Sequence, residues 1–128
     1  GLSPLLFSDV PCPVEGVEVR PRDPVAFTRA LREARAVVSS AGSQLISECV
    51  HLGVPQFALF DSSDDEQALN VQMLTSSGLG GGSSFRELTS EAIATFLEAS
   101  ASSRTEEPQW RAPRAGEAVT TLLDELLA

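Results

Sequence analysis

Lysine and tyrosine are absent from this sequence of 128 residues, and cysteine, histidine and aromatic residues are scarce. Every one of the nine Lys-or-Arg positions is therefore arginine, set against 18 acidic residues for a net charge of −9. A protein that reads phosphate backbones needs a clustered positive surface. Here Arg20, Arg22, Arg29, Arg32 and Arg35 form the only concentration, interrupted by Asp23 and Glu33, and that pattern reads as a solvated helix face. With six Phe and one Trp, stacking platforms for single strands are lacking as well, so no nucleic-acid partner is expected. Cys12 and Cys49 make no disulfide framework, and a chain of this length needs none to hold a core. No apolar run approaches the ~20 residues that cross a bilayer. Gly1 to Val10 carries neither the basic flank nor the apolar stretch of a signal peptide, so the expectation is a single soluble, cytoplasmic protein without a transmembrane segment.

What is present is an alternation of short β-type runs with segments of helical period, the pattern of a parallel sheet covered by helices. Val17 to Arg20 is a short strand, and Asp23-Pro24 opens a helix, with Asp23 as cap and Pro24 where its missing donor costs nothing. That helix runs to about Ala34 with Val25, Phe27, Ala30, Leu31 and Ala34 as its buried stripe, and Ala36 to Ser39 follows as a strand. After Ser40-Ala41-Gly42 a helix passes through Leu45, Ile46, Cys49, Val50 and Leu52 and ends at Gly53 and Pro55. Gln56 to Phe60 is nearly continuous apolar strand, as in a sheet covered on both faces. A polar loop, Asp61 to Asp65, leads into a helix from about Glu66 to Ser77 stopped by Gly78. Gly80-Gly81-Gly82 reads as a turn, and Thr89 caps a further helix with Glu91 in its first turn.

Residues 1–100 are thus expected to form one α/β domain, 101–113 a surface crossing, and 114–128 an amphipathic helix packing on the same domain through Val119, Leu122, Leu123, Leu126 and Leu127. The expected architecture is a doubly wound, Rossmann-like parallel sheet flanked by helices. In such sheets ligands sit outside the carboxyl ends of the strands, which directs attention to the loops after Ser39 and Phe60.

Between strand and helix, Ser40-Ala41-Gly42-Ser43-Gln44 gathers backbone N–H groups and a helix dipole at one spot, with Gly42 admitting close approach and the Ser39, Ser40 and Ser43 hydroxyls as further donors. An anion site and a plain tight turn both fit this spacing. On the same helix Gln44, Glu48 and His51 form one stripe; Glu48 suits a ribose diol, which a carboxylate binds through two hydroxyls, and a solvent-facing polar stripe fits equally. His51 lies more than two helical turns from the phosphate-facing end and reads as structural. The acidic run Asp61-Ser62-Ser63-Asp64-Asp65-Glu66 misses the calcium-loop spacing, and acids at a helix start are stabilising in themselves, so no metal is expected. Gln67 and Asn70, one turn apart, present amides suited to a polyhydroxyl ligand. There is no GxSxG elbow, and Cys49 falls on an apolar helix face as core, so nucleophilic hydrolysis has no apparatus.

The stretch from Ala36 through Ser40-Ala41-Gly42-Ser43-Gln44 and Glu48 to Gly53-Val54-Pro55, and on to Glu66-Gln67-Ala68-Leu69-Asn70, resembles the C-terminal, donor-binding half of GT-B nucleotide-sugar glycosyltransferases. The likeness is to the family 28 branch and to UDP-glycosyltransferase-like proteins, and it covers about residues 17 to 98. Three ordered features carry it: a strand-Gly-helix turn with Glu six residues after the Gly, a Gly-x-Pro before a strand, and Glu-Gln-x-x-Asn opening the next helix. The resemblance implies that Gly42 and Ser43 offer backbone amides to the donor diphosphate, that Glu48 binds the ribose, and that Glu66 and Gln67 meet the sugar, with Ser40 and Gln44 also part of the donor site and Asn70 contacting ligand or holding the loop. The implied donor is a UDP-sugar, with no cofactor and no metal. Ser40 stands where members commonly carry His or Arg, which implies weaker donor binding or a different cation. The resemblance further implies that the catalytic base and the acceptor groove come from an N-terminal domain or a partner subunit, and that the first strand of the donor lobe is not in this chain. The rival expectation is a non-catalytic α/β interaction domain that retains the scaffold.

Overall fold

The computed structural model describes residues 3–103 and 124–127. The expected surface crossing from 104 onward and most of the expected C-terminal helix lie outside the described residues; 101–103 belong to the preceding helix and 124–127 are helical. The chain forms two compact units, Gly1–Ala34 and Arg35–Ala128.

In the first unit, β1 (Leu5–Phe7) and β2 (Glu18–Arg20) pair in parallel, with Leu6 opposite Val19. The helix α1 (Pro24–Glu33) starts as expected, with the Asp23 carboxylate accepting from the N–H of Val25 at 3.0 Å and of Ala26 at 3.5 Å. Leu31 is buried, and Phe27 meets Phe7 edge-on with ring centroids 5.3 Å apart. Val25, expected on the buried stripe, is instead 69% exposed. At 100° per residue it stands about 200° from Phe27, so the two cannot share a narrow stripe.

The second unit is a parallel sheet in the order β3 (Val37–Ser40), β4 (Gln56–Phe60), β5 (Gly80–Ser84), joined by α2 (Ser43–Leu52) and α3 (Asp65–Ser76) and followed by α4 (Ser90–Ser103). Ser39 pairs with Ala58, and Ala58 with Gly82. Alternation along β4 sends successive side chains to opposite faces. Ala58 and Phe60 pack with Ile46 and Val50 of α2 and Val71 and Leu74 of α3. Phe57, on the other face, meets Phe96 of α4 with ring centroids 5.5 Å apart. Helices therefore cover both faces, which is why Gln56 to Phe60 reads as a continuous apolar run. The α2 helix stops at Gly53, whose φ of 71° is the left-handed conformation that only glycine takes cheaply.

The glycine triplet, expected as a turn, is strand β5. Its residues are chosen by space. A Cβ on Gly80 would stand against the Gln56 carbonyl oxygen, and one on Gly82 against the Ala58 carbonyl oxygen and the Val71 methyl. Propensity reads glycine as a turn signal; the close approach of β4 requires it in a strand here. Gln56 opens β4 as a fully buried polar residue, its Nε2 donating to the Ser39 hydroxyl at 2.7 Å while its Oε1 is buried with no hydrogen-bond partner among the described residues.

Candidate functional site

Because the sheet is parallel, the carboxyl ends of β3, β4 and β5 lie at one edge, and the loops leaving β3 and β4 start helices there. The loop after β3 is short. The Ala41 N–H continues the sheet by donating to the Leu59 carbonyl at 2.9 Å, and Gly42 is the N-cap residue of α2, with φ −72° and ψ 137°. Among the described residues no side chain caps this helix. The contrast with its neighbours is informative: Asp23 caps α1, Asp64 accepts from the Gln67 N–H at 3.0 Å to cap α3, and Thr89 accepts from the Ala92 N–H at 3.1 Å to cap α4. The first N–H groups of any helix lack intrahelical acceptors. At α2 the N–H groups of Gly42, Ser43, Gln44 and Leu45 have no acceptor among the described residues, and they stand at the positive end of the helix dipole.

Nothing in the backbone of Gly42 requires glycine. Its φ is open to any residue, and a Cβ added there would meet nothing within 4 Å among the described residues. With no side chain at the N-cap, nothing from this residue accepts from the first N–H groups of the helix.

Ser40, Ser43 and Gln44 are exposed at this rim. Ser39, expected to add a hydroxyl, is committed elsewhere: it donates to the Ser40 carbonyl at 2.9 Å and accepts from Gln56, so it serves the sheet. Glu48 is half-buried and follows Ser43 by five residues, about 7.5 Å further along the helix axis. Its Oε1 accepts from Gln44 Nε2 at 3.5 Å, a long contact that leaves the carboxylate able to take hydroxyl donors. His51, exposed, lies toward the opposite end of α2. Cys49 is fully buried; burial first, and the neighbouring Glu48 charge second, push its thiol from 9.0 up to about 12, which keeps it protonated and inert.

The loop after β4 is organised by its own carboxylates. Asp61 accepts from the Ser63 N–H at 2.9 Å and from the Ser63 hydroxyl at 2.8 Å, and these bonds hold its carboxyl below the usual value. Asp64 is occupied as the α3 cap. Among the described residues no group of three or more His, Cys, Asp or Glu side chains is arranged to hold a metal ion. Glu66 is exposed in the first turn of α3. Gln67 Oε1 accepts from the Asp61 N–H at 3.2 Å, which fixes the amide and leaves its nitrogen end for a ligand. Asn70 Nδ2 donates to the Ala41 carbonyl at 3.0 Å. The structure thus gathers Gly42, Ser43 and Gln44 at one helix start, with Asn70 bonded to the peptide beside them and Gln67 to the adjoining loop. The backbone N–H cluster was legible in the sequence, and of the two roles expected for Asn70 the structure shows the one that holds the loop; the Gln67 link to the Asp61 N–H was not legible, because it spans a strand-helix boundary.

The chain matches the family model described as glycosyl transferase family 1 over residues 15–100. Among solved structures it is similar to the glycosyltransferase SnogD from Streptomyces nogalater, at 23% identity and a TM-score of 0.55, over 86% of this chain and 30% of that one. That likeness is one of fold, and this chain spans less than a third of the enzyme's length. No curated protein matches significantly.

Proposed function

We propose, because the chain belongs to glycosyl transferase family 1, that the carboxyl edge of the β3-β4-β5 sheet is a nucleotide-sugar donor site, serving transfer of a hexosyl group from a UDP-sugar to an acceptor hydroxyl. The match names family 1 where the residues resemble family 28; parallel strands flanked by helices, as in part of the solved glycosyltransferase fold, are what is observed. The observation that carries the reading is the start of α2. Among the described residues it is the one helix of α1 to α4 without a side-chain cap, and it begins at a glycine that the backbone does not need.

In this reading the N–H groups of Gly42, Ser43, Gln44 and Leu45 bind the diphosphate, with the Ser40 and Ser43 hydroxyls beside them. Glu48 accepts from the ribose hydroxyls, and Glu66 with the free end of Gln67 meets the sugar. The acceptor oxygen attacks the anomeric carbon, forming the new glycosidic bond. The bond from that carbon to the diphosphate oxygen breaks, and its electron pair leaves with the nucleoside diphosphate. The charge that grows on the leaving group faces the α2 N-terminus, where fixed N–H dipoles stabilise it without reorganisation. The proton of the acceptor goes to a base outside this site, in an N-terminal domain or partner subunit. No cofactor enters.

The test is an NMR titration of the 15N-labelled chain with UDP, UDP-N-acetylglucosamine and GDP. Saturable shifts over residues 40–48 with preference for the uridine ligands are expected. Flat spectra at millimolar ligand would transfer the case to the interaction-domain reading.

A further inference from the structure

The Asn70 contact reaches across 29 residues to one peptide group, and the geometry of that group decides what it does. The acceptor is a carbonyl, so the nitrogen end of the amide must face it and the orientation of the side chain is fixed by chemistry. The same Ala41 is fully buried, and its N–H is held by the Leu59 carbonyl. One peptide plane contains both the Ala41 carbonyl and the Gly42 N–H. In a trans peptide these point in opposite directions, so pinning the oxygen on α3 aims the N–H away from α3. A hydrogen bond to the carbonyl also polarises the peptide and makes that N–H a stronger donor.

We propose that Asn70 is a positioning residue for the donor diphosphate: by fixing the Ala41 carbonyl it orients the Gly42 N–H into line with those of Ser43, Gln44 and Leu45. This rests on the donor-site reading. Gln67, one turn earlier on α3, holds the Asp61 N–H by the same kind of link. The first two turns of α3 therefore set the backbone of both loops at the site, and Asn70 acts through Ala41 rather than by touching the ligand.

The experiment compares the full chain with Asn70→Ala and the near-isosteric Asn70→Asp, which keeps the volume and loses the donor. Binding of UDP and of uridine is measured by calorimetry, and exchange of the Ala41 amide by NMR without ligand. Losing one aligned phosphate donor weakens UDP about tenfold in both variants while uridine stays within about twofold. Ala41 exchange quickens about tenfold as the loop opens locally. An unchanged ratio of UDP to uridine affinity in both variants overturns the proposal, and so does unchanged Ala41 exchange. If the unsubstituted chain binds neither ligand, the donor-site reading falls, and the exchange measurement still decides whether Asn70 orders the loop.

Discussion

Placing an aspartate at the start of α2 should separate stability from binding in opposite directions. Asp23 and Asp64 cap α1 and α3 from extended backbone, at φ −140° and −101°, and Gly42 has the same class of conformation at φ −72° with room for a side chain. Gly42→Asp therefore removes the glycine freedom of the unfolded chain, adds a cap, and sets a negative charge at the positive end of the dipole. Together these are worth roughly 1 to 2 kcal/mol, a rise of roughly 4 to 8 °C in Tm for a domain of this size. The same carboxylate stands where the diphosphate is proposed to bind. Two unit charges ~4 Å apart repel by about 4 kcal/mol at an effective dielectric of ~20, so UDP affinity should fall at least ~100-fold even after partial screening. Thermal unfolding by circular dichroism reads the first effect and calorimetry the second, with Gly42→Ser as the uncharged control. A lower Tm would refute the cap geometry. Unchanged UDP affinity would refute the position of the phosphates.

Glu48→Ala removes a carboxylate whose one close side-chain bond is the 3.5 Å contact from Gln44; UDP should weaken about 10- to 100-fold with Tm nearly constant, and equal affinity counts against the ribose assignment. Gly82→Ala pushes a methyl against the Ala58 carbonyl and Val71, costing about 1 to 3 kcal/mol in urea unfolding, whereas Gly81→Ala, with nothing within 4 Å, carries no such cost. Asp61 is lowered first by the Ser63 N–H and next by its hydroxyl, so the turn's contribution is present above the ordinary value of about 3.9 and fades as pH falls through the lowered one. The 13Cγ titration of Asp61 should move up in Ser63→Ala, and an unmoved midpoint contradicts this. Cys49, with its thiol pushed up to about 12, should resist iodoacetamide at neutral pH in the folded chain, and rapid labelling would show that its burial is wrong.

Elements whose signals are local were legible from the residues. Asp23-Pro24 opens α1, Gly53 closes α2, and Gln56 to Phe60 is the central strand, because caps, left-handed turns and buried runs are written in adjacent letters. The β1 strand was missed: three residues between Pro4 and Ser8 gain their hydrogen bonds from β2, eleven or more positions away. The β5 strand was misread because its glycines answer to the carbonyls of β4, a constraint from across the sheet. The site divides the same way. A Gly-Ser helix start after a strand marks the N–H cluster of the proposed diphosphate site, and Glu48 follows on its own helix. Gln67 and Asn70 announce amides, but that these bind Asp61 and Ala41 depends on how α3 lies beside two loops. Ser39 shows the converse, a hydroxyl adjacent to the site in sequence that faces Gln56 in space.

That last pair bears on how the sheet finds its alignment. Apolar strands such as Val37-Val38 and Phe57-Ala58 would tolerate several offsets, since one oily contact replaces another. Sliding β3 by a single position along β4, so that Val38 takes the place of Ser39, carries the Ser39 hydroxyl to the opposite face. Gln56 would then be interred with both ends of its amide unanswered, where it now has one, and each such orphan costs about 1 to 3 kcal/mol. The misaligned sheet is penalised by a group that contributes little to the correct one. Gln56 thus works as a selector among pairings, and replacing it with leucine should leave a chain that is no less cohesive but less certain of which residue of β3 belongs beside which residue of β4.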